Sequence, residues 1–279
     1  MWRNGVIFLP ETIGSLTLVV VLLIFGAAVH AQQIVTLSTR PGVTQSYFVT
    51  STPKNLQAIA VLFAGSGGLI QLRTENGQTK FSQGNFLVRS RAEFVNRSVV
   101  TAIIDAPSDQ QGGWGMTDEF RLSEAHFTDM SAVVEELQRR FPQLPLFLVG
   151  TSRGTVSAAS LGARLDQRVA GVVLTSTVFR PTPRNAKEPG PGLSRFDFAT
   201  INIPLLFVQH LNDQCEMTLY SEAARYSGKY PLLTVFGGAP PKSGPCDAFS
   251  AHGYFGRELE TVEQVVNWML KKPVVYELR

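Results

Sequence analysis

A glycine-flanked serine stands between an apolar stretch of this chain and a run of small residues. Residues 150–154 read GTSRG; they follow LPLFLV at 144–149 and precede VSAASLGARL at 156–165. A buried strand, a tight turn and a helix in this order are typical of a nucleophile elbow, which exposes a serine hydroxyl above a helix N-terminus. The simpler interpretation is a glycine-rich turn after a buried strand. Either way, a strand, a turn and a helix are predicted in fixed succession.

A serine hydroxyl needs a base to take its proton, and in an elbow the base follows the serine and the acid in chain order. The chain has four histidines. His30 lies in an N-terminal apolar segment. His126 precedes Ser152 and is expected to be a surface or capping residue, and His210 ends a predicted strand. His252, in a glycine-flanked loop before the last predicted helix, is therefore the candidate base.

The candidate acid is Asp213, which follows the apolar strand predicted at 204–209. A carboxylate at the carboxyl end of that strand can reach the Nδ1 atom of a histidine. The preceding predicted strand, 169–177, ends without an acid, and Asp247 lies inside the histidine loop itself. The alternative for Asp213 is a simple turn-forming aspartate after a strand.

On these residues the chain resembles the α/β-hydrolase superfamily, and within it the small bacterial esterase and dienelactone-hydrolase-like branch. The resemblance rests on GTSRG at 150–154, on Asp213 and His252 in that order, and on FAGSGG at 63–68 after an apolar strand. It implies an α/β fold with a mostly parallel, doubly wound sheet flanked by helices and a short or absent cap. It implies neither a metal nor an organic cofactor.

The resemblance also implies that the loop at 63–68 supplies one oxyanion donor, the amide of Ser66, and that the amide of Arg153 supplies the other. Gly65 and Gly67 are then expected at the pocket. The chain departs from the family at Ala64, where histidine is common. A phosphate-binding loop is disfavoured, because no Lys-Ser/Thr pair follows the glycines. Trp114, in a second glycine-rich loop, either walls the pocket or covers the edge of the sheet.

Residues 1–31 have the features of a secretory signal peptide. Arg3 precedes an apolar run from 13 to 28, and small residues at Val29 and Ala31 favour cleavage before Gln32. We expect an exported protein, periplasmic or secreted, with a single domain at 32–279. The alternative is an uncleaved membrane anchor, since the apolar run is near the short limit of a bilayer span.

The chain has two cysteines, Cys215 and Cys246. In an oxidising compartment such a pair tends to form a disulfide. A bridge between them would connect the Asp213 loop to the His252 loop. Two buried free thiols are the alternative.

The net charge of +3 is too small to indicate nucleic-acid binding, and the sequence contains no dense basic run. The expected reaction is hydrolysis of a small-molecule carboxylic ester or related acyl bond through an acyl-enzyme on Ser152. An exported serine peptidase and a catalytically silent binding domain remain alternatives, because one fold supports many functions. The sequence does not indicate an oligomeric state.

Periodicity and turn residues predict the remaining elements. The strands are a hairpin at 34–38 and 45–50 followed by 56–63, 98–105, 144–149, 169–177, 204–209 and 230–236. The helices are 86–96, 124–141, 156–165 and 259–271. The loop at 179–200, where relatives insert lids, has no predicted helix.

Overall fold

The computed structural model describes residues 31–51, 55–182 and 189–279. The signal peptide predicted at 1–31 lies outside these ranges except for Ala31, which begins the first strand. No helix in the described ranges combines the length and hydropathy needed to span a lipid bilayer.

Nine strands form one sheet in the order β1-β2-β6-β3-β7-β8-β9-β10-β11, and β4 and β5 form a separate hairpin. Strand β2 pairs antiparallel with β1 and β6, and all other pairs of the large sheet are parallel. The carboxyl ends of β3 and β6–β10 therefore meet at one edge of the sheet. The strands are β1 (Ala31–Arg40), β2 (Val43–Ser51), β3 (Ala58–Phe63), β4 (Arg73–Glu75), β5 (Gln78–Lys80), β6 (Val99–Ile104), β7 (Leu146–Thr151), β8 (Gly171–Thr175), β9 (Leu205–His210), β10 (Leu232–Val235) and β11 (Glu277–Leu278).

Helices cover both faces of the sheet. They are α1 (Phe86–Arg89), α2 (Arg91–Asn96), α3 (Asp118–Arg121), α4 (Glu124–Arg140), α5 (Gly154–Leu165), α6 (Tyr220–Ala224) and α7 (Glu258–Met269). Alternate residues of β3 point to opposite faces: Ile59 packs with α4 and α5, and Ala60 packs with α1, α2 and α7. The two resulting cores are those of a doubly wound sheet, as predicted.

Helix α5 lies unusually close to the sheet. A Cβ at Gly162 would lie 2.4 Å from Cγ2 of Val172 on β8, so a larger residue would push the helix outward. The small residues Ala158, Ala159 and Gly162 of α5 are buried here.

The long elements match their predictions, with ends shifted by a few residues. The helix predicted at 86–96 is broken at Ser90 into α1 and α2. The short elements α3, α6, β4, β5 and β11 were not predicted from the sequence. Within the described part of the 179–200 loop, one 3-10 turn, Phe198–Thr200, is present and no α-helix.

Candidate active site

Ser152 occupies the tight turn between β7 and α5. Its φ is +52°, a left-handed conformation that non-glycine residues rarely adopt, and its amide donates to the Thr175 carbonyl at 3.0 Å. A Cβ at Gly150 would lie 2.4 Å from the Gly154 oxygen, and one at Gly154 would lie 2.1 Å from the Phe63 oxygen. The glycines of the motif are therefore sterically required, and the turn has the strained geometry of a nucleophile elbow.

Asp213 and His252 come together as a buried pair beyond the ends of β9 and β10. The His252 Nδ1 atom lies 3.1 Å from the Asp213 Oδ2 atom, and both side chains are at most 5% exposed. Since a carboxylate only accepts, Nδ1 carries the proton and the Nε2 lone pair is available as a base.

Two further groups hold the Asp213 carboxylate. The Thr218 hydroxyl donates to Oδ2 at 2.8 Å and lies 3.1 Å from the His252 Nδ1 atom. The Cys215 amide donates to Oδ1 at 2.9 Å. These bonds orient the carboxylate toward the imidazole. Thr218 was not identified from the sequence.

The His252 turn is fixed by buried polar contacts. His252 lies in a 3-10 turn, Ala251–Gly253, and is 4% exposed. Its carbonyl accepts from the Ser176 hydroxyl at 2.7 Å, and the Gly253 carbonyl accepts from Arg89 Nη2 at 2.6 Å. The Tyr254 hydroxyl donates to the Val208 carbonyl at 2.8 Å. Burial raises the pKa of Tyr254, so the phenol remains a donor. The glycine-flanked loop predicted around His252 is therefore a turn held in place by buried hydrogen bonds.

The other described histidines have different surroundings. His126 is fully buried, so the prediction that it is a surface residue was wrong, although its amide does donate to the Ser123 cap. Burial lowers the pKa of His126 to about 3. The His210 Nε2 atom lies 2.9 Å from the Gly237 carbonyl, and Nδ1 accepts from the Asn212 amide. Neither ring lines the cavity that contains Ser152.

The loop at 63–68 lies directly against the elbow. A Cβ at Gly65 would lie 3.0 Å from the Ser152 Cβ atom, and one at Gly67 would lie 1.9 Å from the Trp114 oxygen. Ser66 between them has a φ of +48°. Within the described residues, the Ser66 amide donates no hydrogen bond. The loop thus brings the amide that the resemblance designates as an oxyanion donor to the rim of the Ser152 cavity.

Two buried charged residues anchor this loop, and neither was identified from the sequence. Arg121 of α3 is fully buried and donates from Nη2 to the Ser66 carbonyl at 2.8 Å. The Asp105 carboxylate accepts from the amides of Ile70 and Leu72 at 2.8 Å. Both contacts join residues that are far apart in the chain, so no periodic pattern in the sequence predicts them.

A cavity of about 410 Å³ contains the candidate residues. Ser152 and His252 line it together with Gly65, Gly67 and Trp114. The indole is 50% exposed and Trp114 lies in the wall of this cavity, and a role of Trp114 in the pocket stays a prediction. Among the described lining residues, Asp247 carries an acidic side chain and none is lysine or arginine. The charge of the lining therefore disfavours an anionic substrate.

The structure contains the predicted disulfide between Cys215 and Cys246. Cys215 is buried beside the Asp213 carboxylate, and Cys246 is exposed on the wall of the cavity. The bridge thus connects the two loops that carry Asp213 and His252, as expected.

A family model described as serine aminopeptidase, S33, matches residues 109–215. The matched stretch includes Ser152 and Asp213 and ends before His252. A sequence search of curated proteins finds no significant match.

Solved structures with the same fold span almost the whole described chain. The structure of ferulic acid bound to Est1E from Butyrivibrio proteoclasticus has a TM-score of 0.59 at 16% identity, covering 85% of this chain and 98% of the other. A serine hydrolase without a lid from Xanthomonas campestris has a TM-score of 0.53 at 15% identity, covering 84% and 94%. A cold-adapted esterase from an Arctic intertidal metagenomic library has a TM-score of 0.51 at 15% identity, covering 84% and 93%.

These likenesses establish the fold, whereas their low identity leaves the activity to be argued from the site. The mostly parallel sheet flanked by helices that the resemblance implies is confirmed by the sheet topology and by the shared fold of these structures.

Proposed function

We propose that this protein of the α/β-hydrolase fold is a serine hydrolase that cleaves a carboxylic ester or related acyl bond through an acyl-enzyme. One observation carries the proposal. Ser152, in its strained turn, shares a cavity with His252, whose Nδ1 atom lies 3.1 Å from the Asp213 carboxylate. A nucleophile, a base and an orienting acid are the minimum set for this chemistry.

In the proposed reaction the Ser152 Oγ atom attacks the acyl carbon while His252 Nε2 takes the hydroxyl proton. The amides of Ser66 and Arg153 stabilise the oxyanion, each contributing on the order of 10²- to 10³-fold in rate. The tetrahedral intermediate collapses as His252 returns the proton to the leaving oxygen. Water, deprotonated by His252, then hydrolyses the acyl-enzyme and regenerates the Ser152 hydroxyl. Asp213 stabilises the imidazolium in both halves of the reaction.

The esterase among the structural neighbours favours an ester substrate, and the cavity lining, with Asp247 and no lysine or arginine among the described residues, disfavours an anionic one. A serine peptidase is the second candidate, because the family model matched at 109–215 is described as an aminopeptidase. A single domain at 32–279 and export through the segment at 1–31 stay predictions. The Cys215–Cys246 bridge supports export, since disulfides persist in oxidising compartments. The mass of the mature protein, expected to begin at Gln32, tests the cleavage.

Fluorophosphonate labelling tests the proposed chemistry. We expect the wild-type protein to be labelled and Ser152→Ala to be unlabelled at the same melting temperature. Ser82→Ala is the matched control, because Ser82 lines the same cavity and is exposed. Folded wild-type protein that resists labelling would favour a silent binding domain.

A substrate panel then separates the two enzyme candidates. p-Nitrophenyl esters of graded chain length and aminoacyl anilides are compared by kcat/KM. Ester turnover exceeding anilide turnover, and lost in Ser152→Ala, supports the esterase. The reverse preference would assign the protein to the peptidases.

A further inference from the structure

We propose that the side-chain amide of Asn85 is a third hydrogen-bond donor to the oxyanion, and that Asn85 is therefore a catalytic residue. The inference rests on the proposed function, because it assumes that Ser152 attacks an acyl carbon. Asn85 lies outside the turn at 150–154, outside the 63–68 loop and outside the Asp213–His252 pair.

The orientation of the Asn85 amide group is set by its own helix. Asn85 precedes α1, and its Oδ1 atom accepts from the Leu87 amide at 3.1 Å. Because Oδ1 is held in this cap, the other terminal atom must be Nδ2, which carries two N–H donors. Within the described residues, Nδ2 donates to no protein acceptor. Asn85 lines the cavity that contains Ser152, so these donors are available to a bound molecule.

The position of Nδ2 relative to Ser152 follows from the space around Gly65. A Cβ placed on Gly65 would lie 3.5 Å from the Asn85 Nδ2 atom and 3.0 Å from the Ser152 Cβ atom. Both groups therefore border the same small volume, which only glycine leaves open. A side chain at position 65 would separate Asn85 from the nucleophile.

Chemistry on Ser152 places negative charge in this region. The acyl oxygen becomes an oxyanion as the Ser152 Oγ–carbon bond forms, beside the Ser66 amide, which follows Gly65 directly in the chain. A neutral N–H donor aimed at developing charge stabilises the transition state more than the ground state. Since the Asn85 side chain is already fixed by its cap, little reorganisation is needed when the charge appears.

Two substitutions remove the donor while keeping the cap. Asn85→Ser and Asn85→Asp both retain an oxygen that can accept from the Leu87 amide, so the start of α1 is preserved. We expect kcat for a p-nitrophenyl ester to fall about 10²-fold in Asn85→Ser, with KM changed less than about twofold. Asn85→Asp should be slower still, because its carboxylate repels the oxyanion. Asp197→Ser, which alters another exposed cap residue that does not line this cavity, should retain the wild-type kcat.

A tetrahedral inhibitor gives a second readout that a merely structural role would not affect. Affinity for a boronic acid, which forms a tetrahedral adduct on serine, should fall in Asn85→Ser in parallel with kcat/KM, at an unchanged melting temperature. Unchanged kcat in both variants overturns the proposal, and so does a higher KM at wild-type kcat, which would assign Asn85 to ground-state binding. If wild-type protein shows no Ser152-dependent turnover, the proposed function itself has failed.

Discussion

His126 and His252 are both buried, yet the two imidazoles are in opposite chemical situations. His252 has the Asp213 carboxylate 3.1 Å from its Nδ1 atom. Neither ring nitrogen of His126 has a hydrogen-bond partner among the described residues, and the ring packs near Phe63 and Phe120 at centroid distances of 6.2 and 5.5 Å. A buried imidazole without a hydrogen-bond partner stays neutral, because its protonated form would have lost its hydration without gaining a partner.

The buried His126 predicts that the protein loses stability as the pH falls. Burial, with smaller contributions from nearby arginines, lowers its folded-state pKa from 6.5 to about 3. Between pH 6.5 and 3 the unfolded chain therefore binds more protons at this site than the folded protein. One pKa unit corresponds to about 1.4 kcal/mol, so this residue destabilises the folded state by about 2 kcal/mol at pH 5 relative to pH 7.

Urea unfolding of wild-type protein and His126→Phe at pH 7 and pH 5 measures the effect. The variant cannot be protonated at this position. Its free energy of unfolding should therefore fall less from pH 7 to pH 5 than that of the wild-type protein. His210, whose pKa is also lowered by burial, is present in both proteins and cancels in the comparison. Equal losses in the two proteins would show that His126 is not the acid-sensitive group.

At the scale of elements, the loop at 63–68 depends on a helix of only four residues. Arg121 of α3 donates to the Ser66 carbonyl at 2.8 Å and to the Ser157 hydroxyl of α5 at 2.8 Å. The guanidinium thereby joins the 63–68 loop to the helix that follows Ser152. Because Arg121 holds the Ser66 carbonyl, the peptide plane between Ser66 and Gly67 cannot rotate freely.

Replacing Arg121 should therefore lower kcat, because the 63–68 loop would be displaced from its position beside Ser152. Arg121→Lys keeps the charge but has a single nitrogen, which cannot contact Ser66 and Ser157 in the same fixed geometry. We expect kcat for esters to fall tenfold or more, because displacements of about 1 Å near reacting atoms cost on the order of 10²-fold in rate. KM should change less than kcat, since the proposed loop donor acts mainly on the transition state.

Arg164→Lys is the matched control for Arg121→Lys. Arg164, on the partly exposed side of α5, pairs with Glu124 and has no contact with the 63–68 loop. If both lysine variants retain the wild-type kcat, Arg121 has no role in positioning the loop.

The elements that the sequence could predict are those with a repeating pattern. Apart from β11, the strands of the large sheet alternate or run apolar for at least four residues, and α4, α5 and α7 span at least three turns, so periodicity locates them. Helix α3 is too short to show a period. From the sequence, its charged residues Asp118 and Arg121 would be expected on the solvent-exposed surface. Both are buried, and their burial is explained by partners distant in the chain.

At the scale of the whole molecule, parallel pairing brings the candidate site together. Ser152 follows β7, Asp213 follows β9 and His252 follows β10, and all three strands end at the same edge. Chain order and strand ends predicted these three residues from the sequence, and their catalytic roles stay predictions. The residues that hold the His252 turn, Arg89 and Tyr254, could not be selected, because their roles depend on contacts that only the folded chain forms.

The Cys215–Cys246 bridge limits relative motion between the acid and the base. It spans 31 residues of sequence, and by loop entropy a bridge of this span stabilises the folded state by roughly 3 to 4 kcal/mol. One end is the residue whose amide donates to the Asp213 Oδ1 atom, and the other lies in the turn region before His252. Loss of the bridge should therefore lower both the melting temperature and kcat.

Cys246 is exposed, so a thiol reductant can reach the bridge in the folded protein. We expect dithiothreitol to lower the ester kcat and melting temperature of the wild-type protein to those of Cys215→Ser/Cys246→Ser. The double variant, which has no bridge to reduce, should not respond and controls for other effects of the reductant. Wild-type protein that keeps full activity and melting temperature while both thiols titrate as free would show that the buried contacts of Asp213 and His252 hold the two loops without the bridge.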